Sequence, residues 1–224
     1  MSEKLHGPVF DPQKLYIREF ERHDESILNI YQSEIGDVGC VVWDAAIVLS
    51  SYLECDDFKT DKVGQHMFSD KFVVELGAGT GLVGLQAACL GAKALITDLE
   101  EFVPLIQHNI DQNKSHITGT ATARSLKWGE DVTISDVDYV LIADCIYYDE
   151  SLEPLVQTIT KLSSPTTVTY CCYEQRTTGN KPQLEKKFLE LIREKFNVEK
   201  IPLERQHETY RSEDIHILRL TWKT

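Results

Sequence analysis

The chain has 224 residues, which is enough for one α/β domain with small additions. Hydrophobic residues make up 42% and charged residues 26%, proportions that are normal for a soluble globular protein. The net charge of −13 argues against a nucleic-acid partner, because binding phosphates requires a basic face.

Four segments are predicted before the core of the chain begins. Residues 1–13 are polar and carry two prolines, which is typical of a loose leader. Apolar and polar residues alternate over 15–20 and 27–31 with charged residues between them, which predicts a β-hairpin. Two glycines then lead into an apolar helix that runs to about Cys55, and residues 56–70 show no pattern and are assigned to a linker.

Strands and helices alternate through the rest of the chain. The predicted strands are 72–76, 93–98, 120–127, 137–143, 166–173, 198–203 and 215–222, and the predicted helices are 82–90, 101–113, 151–162 and 184–196. Ser151 and the acid and proline that follow it mark the start of the third helix. The alternation predicts a doubly wound, mostly parallel sheet, and the last two strands predict one antiparallel strand. We expect residues 14–224 to form a single domain with its core in 71–224.

The spacing of the cysteines bears on metal binding, and the N-terminal sequence bears on the location of the protein in the cell. The six cysteines have neither C-x-x-C nor zinc-ligand spacing, and most lie in apolar runs. We therefore expect buried, reduced thiols and no metal. No signal-peptide segment and no stretch of membrane-spanning length is present. These features predict a cytoplasmic protein, with a nuclear pool left open, and no membrane partner.

A glycine-rich turn follows the first core strand, in the sequence Glu75-Leu-Gly77-Ala-Gly79-Thr-Gly81. Glycine permits a left-handed turn and lets the backbone approach a ligand, and the next helix directs its free N–H groups at that ligand. Residues 79–84 also match the dinucleotide pattern G-x-G-x-x-G. In that pattern the first glycine follows the strand directly, and counting from Gly77 places Leu82 where the third glycine belongs, which disfavours a nicotinamide cofactor.

The glycine turn instead resembles the first motif of class I S-adenosylmethionine-dependent methyltransferases. Asp98 lies 21 positions after Gly77, at the end of the next strand, where an acid suits the two ribose hydroxyls of the cofactor. The plainer alternatives are an ordinary strand–helix turn for the glycines and an N-cap of the following helix for Asp98. The two roles of Asp98 can coexist.

Four predicted strands, 72–76, 93–98, 120–127 and 137–143, end at or just before residues that suit a ligand site. Ligands of open parallel sheets bind beyond the carboxyl ends of the strands, so these residues are expected at one edge. They are Gly77, Gly79, Asp98, Trp128, Ala143, Asp144 and Tyr147. Because Asp144 and Tyr147 are three positions apart just after a strand, both can face one incoming group.

Four stretches resemble the methyltransferase-like 21 family of seven-strand protein-lysine methyltransferases. They are 39–46, 143–148 with its D-x-x-Y motif, 171–176 and 210–216, and the resemblance extends over nearly the whole chain from about residue 14. It implies S-adenosylmethionine as the cofactor, S-adenosylhomocysteine as the product and a protein substrate. The stretches are most similar to the part of the family that methylates a lysine of the hexameric valosin-containing AAA ATPase, which implies that substrate. We expect a monomeric enzyme.

The resemblance also implies the residues of the site. The residues implied for the cofactor are Trp43, Glu75, Gly77, Ala78, Gly79, Asp98, Trp128, Ala143 and Asp144. Asp144 is also predicted to hold and orient the target ammonium, and the Tyr147 ring to shape its channel, since aromatic faces tolerate a cation. The plainer alternatives are core packing for Trp43 and a packed aromatic pair for Tyr147 and Tyr148.

Other functions are possible on the same fold. Base methyltransferases often carry the motif D/N-P-P-Y at this position. This chain has Cys145 and Ile146 in place of the two prolines, which disfavours a DNA or RNA base as the substrate. A methyltransferase for another protein, a small-molecule methyltransferase and a non-catalytic module that binds S-adenosylmethionine remain as alternatives. Residues 174–176 are predicted to lie at the same edge, either gripping the substrate backbone or forming a surface turn.

Overall fold

A computed structural model of the chain describes residues 11–33, 38–61 and 65–223. Most of the predicted leader, residues 1–10, therefore lies outside the described residues, as do three residues of the predicted linker. Within the described ranges, no helix is both long enough and apolar enough to cross a bilayer.

A seven-stranded sheet forms the centre of the molecule. Its strands are β3 (Phe72–Leu76), β4 (Lys93–Asp98), β5 (Thr120–Ser125), β6 (Tyr139–Ala143), β7 (Val168–Glu174), β8 (Phe196–Lys200) and β9 (Ile215–Trp222). Their order is β5-β4-β3-β6-β7-β9-β8, and β9 runs antiparallel to both of its neighbours. The other pairs in the sheet are parallel. The predicted doubly wound, mostly parallel sheet with one antiparallel strand is confirmed.

Helices cover both faces of this sheet. They are α1 (Asp44–Tyr52), α2 (Leu82–Cys89), α3 (Val103–Gln112), α4 (Asp149–Leu162) and α5 (Lys181–Arg193). The buried side chains of α4 and α5 pack with those of β3, β6, β7 and β9 in one cluster. The side chains of α1, α2 and α3 form the clusters on the other face. No helix joins β5 to β6, and residues 126–138 connect them as a loop.

Several predicted boundaries are wrong by a few residues. The helix expected from Ser151 begins at Asp149 without a side-chain cap, and the Ser151 hydroxyl donates to the Tyr148 carbonyl inside the first turn. Helix α5 begins three residues earlier than predicted, because Pro182 suits a first helical turn. It also ends three residues earlier, at Arg193, and β8 begins at Phe196. The strand expected to reach Lys127 ends at Ser125, which leaves Trp128 in the loop that follows.

The N-terminal hairpin consists of β1 (Leu15–Glu21) and β2 (Ile27–Ser33), as predicted. Asn109 of α3 and Asn113, which caps the C-terminal end of α3, bind the backbone of β2 through their side chains. The Asn109 side chain accepts from the Tyr31 N–H at 2.7 Å and donates to the Tyr31 carbonyl at 3.0 Å. Asn113 makes the same pair of bonds to Asn29, at 2.9 Å each. The hairpin is thereby fixed to the core.

Two anchors hold the segments that flank α1. The Gln32 side chain at the end of the hairpin accepts from the Val42 N–H at 2.7 Å, which fixes the backbone just before Trp43. The segment assigned to a linker is packed more closely than its sequence indicated, since Phe58 and Phe68 are fully buried against each other. Aromatic burial on this scale stabilises an otherwise patternless segment.

Candidate cofactor and substrate site

A cavity of about 340 Å³ lies beyond the carboxyl ends of β3, β4 and β6. That volume is within the usual range for a small-molecule site. All the residues predicted for the site line it, namely Trp43, Glu75, Gly77, Ala78, Gly79, Asp98, Trp128, Ala143, Asp144 and Tyr147. The residues that sequence reasoning missed include Leu99, Phe102, Lys127, Tyr148, Glu150 and Pro154. Leu99, Lys127 and Tyr148 lie next to predicted residues, Glu150 and Pro154 lie on α4, and Phe102 lies in the short 3₁₀ helix before α3.

The glycine turn has the backbone that its sequence predicts. Gly77, Gly79 and Gly81 have φ angles of +63°, +55° and +83°, in the left-handed region that favours glycine. Space is limited as well, because a Cβ on Gly77 would lie 2.6 Å from the Cys145 sulfur. A Cβ on Gly79 would lie 2.6 Å from the Gly39 carbonyl oxygen. The turn therefore requires glycine for both conformation and packing.

Glu75 lies behind this turn and connects β3 to α2. Its side chain is buried, and one carboxylate oxygen accepts from the Gly84 N–H at 2.8 Å. A Cβ on Gly84 would lie 2.6 Å from that oxygen. Gly84, the third glycine of the apparent dinucleotide pattern, is thus required to make room for Glu75. The packing of Gly84 against Glu75 therefore accounts for the match of residues 79–84 to the dinucleotide pattern.

Burial raises the pKa of Glu75 to about 8, although the Gly84 N–H opposes the shift. A carboxyl group whose pKa is raised by folding stabilises the fold fully below its unfolded pKa, and this contribution is lost as the pH rises through the folded pKa. We therefore expect Glu75→Gln to become more stable, relative to the unchanged protein, as the pH rises from 5 to 9. Denaturant unfolding at several pH values measures this difference, with Glu190→Gln on α5 as the exposed control. A difference that is constant with pH would show that Glu75 is charged in the fold.

Two backbone N–H groups bind the Asp98 carboxylate. One carboxylate oxygen accepts from the Gly79 N–H and the other from the Leu99 N–H, each at 2.7 Å. The cap of the short 3₁₀ helix at Glu100–Phe102 is Leu99, so Asp98 is not itself the N-cap. Burial raises the pKa of Asp98 to about 6, against the two N–H groups that lower it. Its carboxylate is thus fixed on the glycine turn at the end of β4.

The residues present fit S-adenosylmethionine. The Asp98 carboxylate is an acceptor for ribose hydroxyls at a strand end, and the glycine turn allows close backbone approach. The exposed Leu99 and the half-buried Trp128 provide apolar walls of the kind that cover an aromatic base. Trp43 is 39% exposed at the cavity wall, so the core-packing interpretation of this residue is wrong.

Asp144 has an unusual backbone and a charged partner. Its φ angle is +53°, which is uncommon for a residue with a Cβ. One carboxylate oxygen accepts from the Arg176 guanidinium at 2.7 Å, and Arg176 also donates to Glu174 at 3.0 Å. Burial raises the pKa of Asp144, while Arg176 lowers it. Residues 174–176 thus bind Asp144 itself, a contact that neither predicted interpretation of this stretch included.

Tyr147 and Tyr148 form a packed pair at the mouth of the cavity. Their ring centroids are 4.6 Å apart in an edge-on arrangement, and Tyr148 is 47% exposed. The Lys181 ammonium donates to the Tyr147 carbonyl at 2.8 Å, which ties this loop to the start of α5. Tyr147 therefore packs against Tyr148, as the plainer alternative predicts, and it also lines the cavity.

The sheet order, the glycine turn and the acid at the end of β4 define a class I S-adenosylmethionine-dependent methyltransferase. The 16S rRNA N2 G1207 methyltransferase of T. thermophilus, solved with AdoMet and guanosine, has a TM-score of 0.62 at 15% identity and covers 95% of this chain and 52% of that chain. The glycopeptide N-methyltransferase MtfA, solved with S-adenosyl-L-homocysteine, has a TM-score of 0.56 at 12% identity over 70% of this chain and 84% of that chain. These identities show the fold alone.

Sequence similarity is more specific. Residues 22–195 match the lysine methyltransferase family. The chain is 36% identical to protein N-lysine methyltransferase METTL21A of Danio rerio over 186 residues, which are 81% of this chain and 77% of that protein. It is 34% identical to protein-lysine methyltransferase METTL21E of Mus musculus over 170 residues, 73% of this chain and 65% of that protein. The chain belongs to the lysine methyltransferase family, and the resemblance seen in its sequence is confirmed.

This protein is therefore an S-adenosylmethionine-dependent protein-lysine N-methyltransferase. Its substrate is a protein, and S-adenosylmethionine becomes S-adenosylhomocysteine when its methyl group is transferred. Asp144 and Tyr147 remain predicted catalytic residues.

Proposed function

We propose that this enzyme methylates a lysine of the valosin-containing AAA ATPase, with Asp144 and Tyr147 at the reacting amine. The observation that carries the site is the position of Asp144 and Tyr147 on the wall of the cofactor cavity. The substrate proposal rests on the sequence similarity of residues 39–46, 143–148, 171–176 and 210–216 to family members with this substrate. We propose in addition that the enzyme is a cytoplasmic monomer.

The cofactor, when bound, supplies a methyl group on a positively charged sulfur, and a neutral amine accepts it. Lysine is an ammonium at pH 7, because its reference pKa is about 10.4, and it must first lose a proton to solvent water at the mouth of the cavity. Asp144 attracts the ammonium into the cavity and orients its nitrogen. The cavity walls hold the amine in line, so positioning supplies most of the rate. The Tyr147 ring lines the channel along which the side chain enters.

The substrate is tested with the purified hexameric ATPase and labelled S-adenosylmethionine. Label in the ATPase, mapped by mass spectrometry to one lysine and absent with Asp144→Asn, supports the proposal. The same reaction in a cell extract shows whether another protein is labelled instead. Label that appears only in other proteins would reject this ATPase as the substrate while leaving the enzyme class intact.

Size-exclusion chromatography with light scattering tests the monomeric state, and fractionation of cells tests the location.

The net charge of −13 favours a substrate surface that carries basic residues. Glu150 is exposed and lines the cavity, so a basic surface docked there lies next to an acid. We expect kcat/KM to fall several-fold as salt rises from 50 to 300 mM, because exposed charges are screened over about 10 Å at 0.1 M. Glu150→Gln should reduce this dependence, and Glu190→Gln on α5 should not. A rate that does not respond to salt would argue against electrostatic attraction.

A further inference from the structure

Arg176 is a cation that contacts the wall of the cavity and has no role in the mechanism proposed above. It lies just after β7 and bridges two carboxylates, Asp144 at 2.7 Å and Glu174 at 3.0 Å. Its guanidinium carbon is also 5.3 Å from the centre of the Trp43 ring, a cation–π contact across the cavity wall. Arg176 thereby joins the end of the sheet to the segment that leads into α1.

We propose that Arg176 is a positioning residue that keeps Asp144 charged and fixed in the cavity wall for the target ammonium. This inference rests on the proposed role of Asp144. Arg176 acts through Asp144, and the bidentate reach of a guanidinium lets it hold Asp144 and Glu174 together.

The burial of Asp144 explains why a partner is needed. Its side chain is only 10% exposed, and that of Arg176 is 26% exposed. Burial raises the pKa of Asp144 even with Arg176 in contact, so removal of the guanidinium would raise it further. A protonated Asp144 would neither attract nor orient an ammonium. Arg176 therefore extends the pH range in which Asp144 is charged.

Among the described residues, the other titratable groups that face Asp144 are one acid and three thiols. Glu174 raises its pKa, and the Glu174 N–H lowers it through a bond of 3.4 Å. Cys145, Cys171 and Cys172 are buried thiols beside it, and their pKa values are raised by burial. From α5, Lys181 binds the Tyr147 carbonyl. Arg176 is the cation in direct contact with Asp144 among the residues that the structure describes.

The local charge is consistent with this role. Asp144 and Glu174 contribute two negative charges and Arg176 one positive charge. The cluster therefore retains one net negative charge, which matches a single lysine ammonium. If Arg176 instead occupied the place of the substrate, its removal would open the site and raise the rate.

The test compares Arg176→Met with Arg176→Lys in the full chain. We expect Arg176→Met to lose about tenfold in kcat and to move the acidic limb of the kcat/KM profile up by about 1 pH unit or more, the scale of an adjacent opposite charge. Arg176→Lys should restore part of both, because it keeps the charge but not the fork. Arg205→Met is the matched control, since Arg205 also bridges two carboxylates, Asp57 at 2.7 Å and Glu199 at 3.0 Å, outside the cavity. It should leave the profile unchanged.

The double variant of Asp144→Asn and Arg176→Met separates this inference from the proposed function. If Arg176 acts through Asp144, the double variant should be as slow as Asp144→Asn alone. Additive losses would overturn the inference, as would an unshifted pH profile or a faster Arg176→Met enzyme. If Asp144→Asn itself has full activity, the proposed role of Asp144 fails first, and the inference fails with it. Melting temperature and S-adenosylhomocysteine affinity are measured on each variant to confirm that it is folded.

Discussion

Turnover of the Asp144→Asn variant is expected to fall by about 10² or more, the usual scale for losing a positioned acid–base or orienting group. Asparagine retains the size of the side chain but not the charge that holds an ammonium. It also tolerates the left-handed backbone at this position, where φ is +53°, so the loop should keep its shape. S-adenosylhomocysteine should bind within a few-fold of normal, because the glycine turn and Asp98 are unchanged.

Single-turnover methylation, cofactor affinity and melting temperature on one preparation decide this prediction. Asp136→Asn is the matched control, since Asp136 is another aspartate with a left-handed backbone, at φ +59°, in the loop before β6. The control should lose no activity. A stable Asp144→Asn variant that binds cofactor and turns over normally would remove Asp144 from the mechanism.

Asp98→Ala is expected to weaken S-adenosylhomocysteine binding by tenfold or more. Hydrogen bonds to a charged group contribute about 1.5–3 kcal/mol each, and the carboxylate also holds the Gly79 N–H at 2.7 Å. In the unchanged protein, affinity should decline as the pH falls through about 6, because a protonated Asp98 is a poorer acceptor for ribose hydroxyls. Asp98→Asn should lack this pH dependence.

Calorimetry measures both effects. Asp138→Asn is the matched control, because Asp138 also accepts from a backbone N–H, that of Phe72 at 2.8 Å, but at the opposite end of β3. It should cost stability without changing cofactor affinity. NADH should not bind to any of these proteins. Tight NADH binding, or full affinity in Asp98→Ala, would contradict the assignment of this acid.

The parts of the site that could be predicted are those with short-range signals. The strand, the glycine turn and the helix that follows are encoded within one short stretch, residues 72–89, because left-handed glycines and apolar periodicity act locally. Asp98 follows from the length of one β-α-β unit. The convergence of these strand ends at one edge follows from parallel topology.

The parts that could not be predicted depend on contacts between distant residues. Arg176 and Asp144 are 32 positions apart, and no spacing rule marks the pair. The same applies to Asn109 and Asn113, which bind the hairpin more than 70 positions earlier in the chain. Phe58 and Phe68 anchor a segment that has no periodicity. The predicted starts of α4 and α5 are wrong because acids begin α4 and a proline lies in the first turn of α5, and neither helix has a serine cap.

Strand β9 lies between β7 and β8, so we expect the protein to become active only after β9 has been synthesised. Glu174 pairs with Ile215, and the Gln175 N–H donates to the Asp214 carbonyl at 2.6 Å, so the backbone that carries Arg176 is held by a strand translated much later. Until β9 has left the ribosome, β7 presents an open edge that chaperones or other nascent chains can bind. A translation product that stops before β9 is expected to be inactive and prone to aggregation.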